Sequence, residues 1–165
     1  ISIVRHRPMN LTELLDASAE RLPDKAAVID GEAVVTYVAL AAKSRELAGQ
    51  LHSQPGDRIG IAFPNSATYI AATYAIWRHN AIAVPVPLES SPEERAHIIA
   101  SLGLAGIISP KGFEKLPAKP PDNHGLNIAF IRFTSGTTSA SKGVVVTHET
   151  VRDRIHAAKI GRAHV

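Results

Sequence analysis

Three short apolar runs between residues 58 and 109 alternate with two segments of helical spacing, and this alternation limits the fold more than any other feature. The second helical segment opens with Ser91-Pro92-Glu93-Glu94, which combines an N-cap residue, proline at the first helical position and glutamate at the third. Because the connections are short, the strands must be parallel and joined by right-handed crossovers. The sequence therefore predicts a doubly wound, mostly parallel α/β sheet with flanking helices. The predicted strands are 58–63, 81–86 and 105–109, and the predicted helices run from Ser66 to about Arg78 and from Ser91 to Gly103.

The residues before this region predict two helices and a β-hairpin. Asn10 followed by Glu13 is typical of a capped helix start, and leucines then mark one face of a helix that must end before Pro23. The apolar runs 26–29 and 33–36 are joined through Asp30-Gly31, a pair suited to a tight hairpin turn. From 37 to 52 apolar residues recur at helical spacing.

Composition bounds the function classes. The chain has 165 residues, 45% of them hydrophobic, which is enough for one ordinary domain with a core. Lys and Arg number 18 against 15 Asp and Glu without a basic run, so charge gives no support for nucleic-acid binding. There is no cysteine, no signal-peptide core and no apolar run near the roughly 20 residues of a membrane span. We expect a cytoplasmic protein without a transmembrane segment.

The two ends of the sequence look unlike the rest. Residues 1–9 are interpreted as a leader of uncertain origin, since Met9 directly precedes the first helix start. Residues 160–165 resemble the translation of a common sequencing adapter, and we predict that they are a non-native tail. The domain is expected to occupy residues 10–159.

A loop rich in hydroxyl groups carries the chemical signal of this chain. Residues 110–125 hold four prolines and predict a surface connection, after which 126–133 and 143–147 predict strands entering and leaving the loop. Six hydroxyl side chains, Gly136 and Lys142 lie between these strands, and Gly143 begins the second one, a combination suited to a polyphosphate. The loop is not a Walker A motif, because Ser141 precedes the lysine and Gly143 follows it.

The string Phe-Thr-Ser-Gly-Thr-Thr-x-x-x-Lys-Gly-Val at 133–144, followed by Thr147-His148, resembles the phosphate-loop signature of the adenylate-forming enzymes. This superfamily contains acyl-CoA synthetases, adenylation domains of nonribosomal peptide synthetases and luciferases. Two upstream blocks, at 35–48 and at 55–88, resemble the same family in the same order. The chain departs from the family at Ser139 and Ser141, at Ala39, and at 78–80, where Arg-His-Asn replaces the usual Lys-Ala-Gly.

The resemblance implies the N-terminal part of a larger, incomplete AMP-binding domain that activates a carboxylic acid with ATP and Mg²⁺ and releases pyrophosphate. It implies CoA as the acceptor, because Phe-Thr-Ser-Gly-Thr-Thr is typical of acyl-CoA ligases, and an adenylation domain or a fatty acyl-AMP ligase is the alternative. A non-catalytic, flavodoxin-like nucleotide-binding module is an alternative of another class. The remaining motifs, the adenylation lysine among them, follow the loop in the family, so these residues alone are predicted to be inactive. The residues implied to bind the ATP phosphates are Thr134, Ser135, Gly136, Thr137, Thr138 and Lys142.

The eight histidines do not indicate a metal site. Apart from His148 and His156, no pair has ligand spacing on a plausible single helix face, and no metal ligand is predicted. His148 and Gly143 match family positions beside the loop, and we expect them to support the loop rather than to transfer protons.

Overall fold

The computed structural model describes residues 8–118, 121–134 and 142–162. The chain forms five helices and eight strands within these residues. In chain order they are α1 (Thr12–Arg21), β1 (Ala26–Asp30), β2 (Ala33–Thr36), α2 (Tyr37–Ala48), β3 (Arg58–Ile61), α3 (Ala67–Arg78), β4 (Ile82–Pro85), α4 (Pro92–Leu102), β5 (Gly106–Ser109), β6 (Gly112–Lys115), β7 (Ile128–Thr134), β8 (Lys142–Thr147) and α5 (His148–Arg162).

The main sheet has six strands in the order β6-β5-β3-β4-β7-β8. The four inner strands are parallel to their neighbours, whereas β6 and β8 join the two ends of the sheet in antiparallel pairs. The predicted mostly parallel α/β sheet is therefore confirmed. The predicted hairpin is also confirmed: β1 and β2 form a separate antiparallel pair, and Gly31 in its turn has φ +62°.

Alternate residues of the inner strands pack on opposite faces of the sheet, as the two-residue strand period requires. Ile59 and Ile61 of β3 pack with α1, α2 and α3 on one face. Val84 of β4 and Ile107 of β5 pack on the other face with Ile98 and Leu102 of α4. Helices thus cover both faces, which makes the layer doubly wound.

Helix starts follow the predicted capping residues in two of three cases. Ser91 accepts a hydrogen bond from the Glu94 amide at 3.2 Å, and the Glu94 carboxylate accepts one from the Ser91 amide at 2.9 Å, which forms the predicted capping box of α4. Ser66 caps α3 through the Tyr69 amide. Asn10 instead bonds the amide of Thr12, and α1 begins at Thr12, so the expected Asn10–Glu13 arrangement is wrong in detail.

One segment was predicted wrongly. Residues 110–125 contain β6, which pairs with β5 from Ser109↔Gly112 to Gly106↔Lys115, rather than forming only a surface connection. Helix α2 ends at Ala48, four residues before the expected end.

Within the described parts of the chain, no helix combines the length and apolar character that crossing a bilayer requires.

Candidate functional site at the carboxyl edge of the sheet

The predicted phosphate loop is bounded by an antiparallel hairpin. Strands β7 and β8 pair from Ile128↔Thr147 up to Phe133↔Gly143 and Thr134↔Lys142, with one irregularity between Ile128 and Phe130. The strand after Lys142 was predicted from its valines and is confirmed. The predicted phosphate-binding residues Ser135, Gly136, Thr137 and Thr138 lie outside the described residues, whereas Thr134 and Lys142 are the backbone pair from which the loop departs.

The Thr134↔Lys142 pair, at which the described part of the hairpin ends, lies at the carboxyl edge of the parallel strands. Strand β7 runs parallel to β4 through the Ala83↔Phe130 pair, so both strands end at the same edge as β3. From this edge the chain continues into α3 on one face of the sheet and into α4 on the other. Strands whose outgoing connections diverge in this way leave a crevice between them, which is the usual ligand site of an open α/β sheet.

A cleft of about 660 Å³ lies beside this crevice, over β7 and β8 and between α3 and α5. Its apolar walls include Phe130, Val146, Val151 and Ile155. Its polar groups are Asn65 in the connection before α3, Tyr69 in the first turn of α3, Arg132 on β7 and Arg154 on α5. A second cleft of about 310 Å³ adjoins the first and is formed by the connections that follow β3 and β4.

The polar groups of the larger cleft influence one another. Burial raises the pKa of the Tyr69 phenol, and the nearby positive charge of Arg132 partly opposes this rise. The arginine therefore lies close enough to act electrostatically on the cleft. The guanidinium groups of Arg132 and Arg154 form no ion pair or hydrogen bond with another described residue.

His148, predicted to support the loop, is buried at the end of β8. Its Nδ1 accepts a hydrogen bond from the Leu11 amide at 3.3 Å, and its ring meets Trp77 edge-on with centroids 5.2 Å apart. Burial lowers the pKa of the imidazole, so the neutral form is favoured in the fold. This environment suits a structural part, and its influence on the loop remains a prediction.

Gly143 permits close packing at the base of the hairpin. A Cβ atom at this position would lie 3.0 Å from Cγ2 of Ile131 and 3.4 Å from Cδ2 of Leu102. A side chain would therefore press on the strand that enters the loop. Its part in loop function, like that of His148, stays a prediction.

Asn127 at the start of β7 was not singled out from the sequence. Its side-chain amide donates to the Met9 carbonyl and to the Glu149 carboxylate, both at 2.7 Å, while its backbone carbonyl accepts from the His148 amide. The hydrogen bond from Asn127 lowers the pKa of Glu149. This cluster joins the N-terminal segment to the β8–α5 junction. No local pattern could have revealed it, because its partners are 118 and 22 residues away.

The side chains of the described residues do not offer a metal site, since no three His, Cys, Asp or Glu groups converge among them. Mg²⁺ is bound in proteins mainly through carboxylates and water. Mg²⁺ that is bound together with ATP needs only one or two protein carboxylates beside the phosphates, so its binding stays a prediction of the family resemblance.

Comparison with known proteins is consistent with this architecture. The sequence matches the family described as "AMP-binding enzyme" over residues 15–164. It is 31% identical to vanchrobactin synthetase VabF of Vibrio anguillarum over 88% of the chain, and 29% identical to isonitrile lipopeptide synthase of Mycobacterium tuberculosis over 87%. The chain spans only 6% and 7% of the length of these two relatives.

Solved structures agree in fold. o-Succinylbenzoate CoA synthetase of Bacillus subtilis, in complex with its acyl-adenylate intermediate, superposes with a TM-score of 0.74 at 21% identity, over 93% of this chain and 46% of that one. The N-terminal domain of FACL13 from Mycobacterium tuberculosis gives 0.71 at 24% identity, over 88% and 46%. With a family match across most of its length, the chain belongs to the AMP-binding enzymes, the adenylate-forming superfamily.

Proposed function

We propose that the protein carrying this chain activates a carboxylic acid as an acyl-adenylate at the expense of ATP. A carboxylate oxygen attacks the α-phosphorus, the bond from that phosphorus to the bridging oxygen breaks, and pyrophosphate leaves. The main support is family membership. A second support is that the strands bounding the loop end at the same edge of the sheet as the two clefts. In this proposal Thr134, Ser135, Gly136, Thr137, Thr138 and Lys142 hold the β- and γ-phosphates.

The task of the loop residues is to position a highly charged leaving group and to stabilise its charge. Backbone amides and hydroxyls donate hydrogen bonds to phosphate oxygens, and the lysine ammonium adds a compact positive charge. Such groups accelerate the reaction to the extent that they bind the transition state, in which charge develops on the pyrophosphate, more tightly than the ground state.

We propose CoA as the acceptor of the acyl group, because Thr137 gives the loop the form typical of acyl-CoA ligases. The curated relatives favour a second candidate, an adenylation domain that passes its acyl group to a carrier protein, since the names of several are peptide synthetases. Thioester formation on free CoA, measured with the acid that supports exchange, separates the two. A cytoplasmic location also remains a prediction.

Pyrophosphate exchange across a panel of acids tests the proposal in the whole protein that carries this chain. Lys142→Ala should reduce exchange roughly tenfold to hundredfold, because a charge-assisted hydrogen bond contributes about 1.5–3 kcal/mol. Lys111→Ala, at an exposed turn between β5 and β6, is the matched control and should leave exchange unchanged. If Lys142→Ala and the wild type exchanged pyrophosphate at the same rate, the loop lysine would have no part in the reaction. Absence of exchange with every acid would favour a non-catalytic nucleotide-binding module.

A further inference from the structure

We infer that the cleft between α3 and α5 binds the organic part of the acid, and that it selects an acid with an apolar body and a second anionic group. This inference rests on the proposed function and names the substrate class for it. The observation that carries it is the combination of an apolar cleft with two guanidinium groups that no described residue pairs.

The apolar wall of the cleft is built by helical spacing. Val151, Arg154, Ile155 and Ala158 all line it, and they stand at positions i, i+3, i+4 and i+7 of α5, which is one face of a helix. Opposite them, Phe130 and Val146 are cross-strand partners on β7 and β8. A volume of about 660 Å³ falls within the range of small-molecule sites.

The two arginines lie on different elements of the cleft. Arg132 lies two residues before Thr134, so their Cα atoms are separated by about 7 Å at the usual strand rise. It is therefore placed near the anionic groups gathered at the loop. Arg154 is on the helical wall, and its positive charge is available to a group on the body of the acid rather than to the phosphates.

Arg132 and Arg154 are both exposed, so filling the cleft would displace water from the part of each guanidinium group that faces the cleft. A long hydrocarbon chain offers no acceptor, so the cations would have to withdraw to solvent or lose hydration without compensation. A carboxylate at the same place forms a charge-assisted and potentially bidentate pair with arginine. A site built around such a group rejects an analogue that lacks it, because its polar groups are then left unpaired.

Direct binding tests the inference without relying on catalysis. Isothermal titration of the whole protein, with no ATP present, compares homophthalate and isophthalate with phenylacetate and benzoate, which lack the second carboxylate. We expect at least one dicarboxylate to bind tenfold or more tightly than the monocarboxylate of the same skeleton. Equal affinities within both pairs, or no binding by any of the four, would overturn the inference.

Substitutions test whether the selectivity comes from the cleft. Arg154→Gln should abolish the preference for the dicarboxylate, and Arg154→Lys should restore part of it by returning the charge. Arg152→Gln is the matched control on the same helix: its guanidinium bonds the neighbouring Asp153 at 2.9 and 3.0 Å and does not line the cleft. It should keep the full preference. If the preference for the dicarboxylate is unchanged in both Arg154→Gln and Arg132→Gln, the cleft does not cause the selectivity and the inference is wrong.

Exchange measurements separate this inference from the proposed function. Selective dicarboxylate binding without any pyrophosphate exchange would support the cleft and contradict adenylation. Exchange with long-chain monocarboxylic acids, unaffected by Arg154→Gln, would support adenylation and contradict the selectivity of the cleft.

Discussion

Asn80, in the turn after α3, holds a backbone conformation that is unfavourable for most residues. Its φ is +52°, in the left-handed region that glycine adopts most readily. The side chain compensates, because its Oδ1 accepts a hydrogen bond from Asn10 at 3.2 Å, and Asn10 also bonds the Trp77 carbonyl at 2.7 Å. The turn is thereby joined to the segment that precedes α1.

Substitutions at position 80 separate the backbone cost from the side-chain contact. Asn80→Ala removes the hydrogen bond and keeps a Cβ atom in the left-handed region, so it should destabilise the protein by about 1–2 kcal/mol. Asn80→Gly also loses the contact but relieves the backbone, and should cost about 1 kcal/mol less than alanine. The midpoints of urea unfolding measure both changes. An alanine variant as stable as the glycine variant would contradict this account.

The Arg78-His79-Asn80 triplet makes contacts that could not be predicted from the sequence. It stood out as a departure from the family pattern, but its contacts are distant along the chain. Arg78 forms a two-pronged ion pair with Asp16, at 2.7 and 2.9 Å, and bonds the buried Ser44 hydroxyl. His79 bonds the Ala48 carbonyl. Such contacts depend on how α1, α2 and α3 pack, which no local pattern contains.

Among the secondary-structure elements, β6 shows that tertiary pairing can produce a strand where the local sequence does not predict one. Its four residues include one large apolar side chain, Phe113, so no alternation was visible in a segment dominated by prolines and turn residues. The strand exists because it pairs with β5, and the Phe113 ring lies against Gly106. Tertiary context of this kind often overrides local strand preference.

A side chain at Gly106 should disrupt this edge of the sheet. A Cβ atom there would overlap the Phe113 ring and would lie 3.0 Å from the Glu114 carbonyl oxygen. Gly106→Ala should therefore cost about 1–3 kcal/mol, the usual cost of overpacking. Adding Phe113→Leu should recover part of that loss, because a smaller side chain makes room. Chemical unfolding of the single and double variants measures the coupling, and purely additive losses would contradict the proposed contact.

The elements that sequence reasoning predicted correctly have local causes. The capping box at Ser91 and Glu94 and the Asp30–Gly31 turn involve residues within three positions of each other. The strand after Lys142 followed from three consecutive valines. The cleft was not predicted, because Tyr69, Arg132 and Arg154 come from three separate elements.

At the scale of the whole molecule, contacts between residues distant in the sequence make stability depend on pH in two separate ranges. His148 is buried in its neutral form, and its pKa is held below the ordinary value of 6.5. Hydrogen bonding to Arg78 lowers the pKa of Asp16 below 3.8, and hydrogen bonding from Asn127 lowers that of Glu149 below 4.5. The three groups tie α1, α3, β7 and α5 into one structure.

Whether stability rises or falls with pH depends on whether the folded or the unfolded state binds more protons. As pH falls below 6.5, unfolded chains protonate the histidine while folded chains do not, so stability decreases until the lowered folded pKa is reached. The two carboxylates stabilise the fold above their unfolded pKa values, and their contribution is lost as pH falls through the lowered folded values. Stability should thus decline in one step below pH 6.5 and in another below about 4.5.

His148→Gln should remove the upper step alone, because glutamine can still accept the hydrogen bond from the Leu11 amide but does not titrate. The lower step should remain, since Asp16 and Glu149 are unchanged. His156→Gln, at an exposed position of the same helix, is the control and should keep both steps. Urea unfolding followed by far-ultraviolet circular dichroism from about pH 2.5 to pH 8 measures the profiles over both steps. An upper step that persists in His148→Gln would show that a group other than the buried imidazole controls stability in that range.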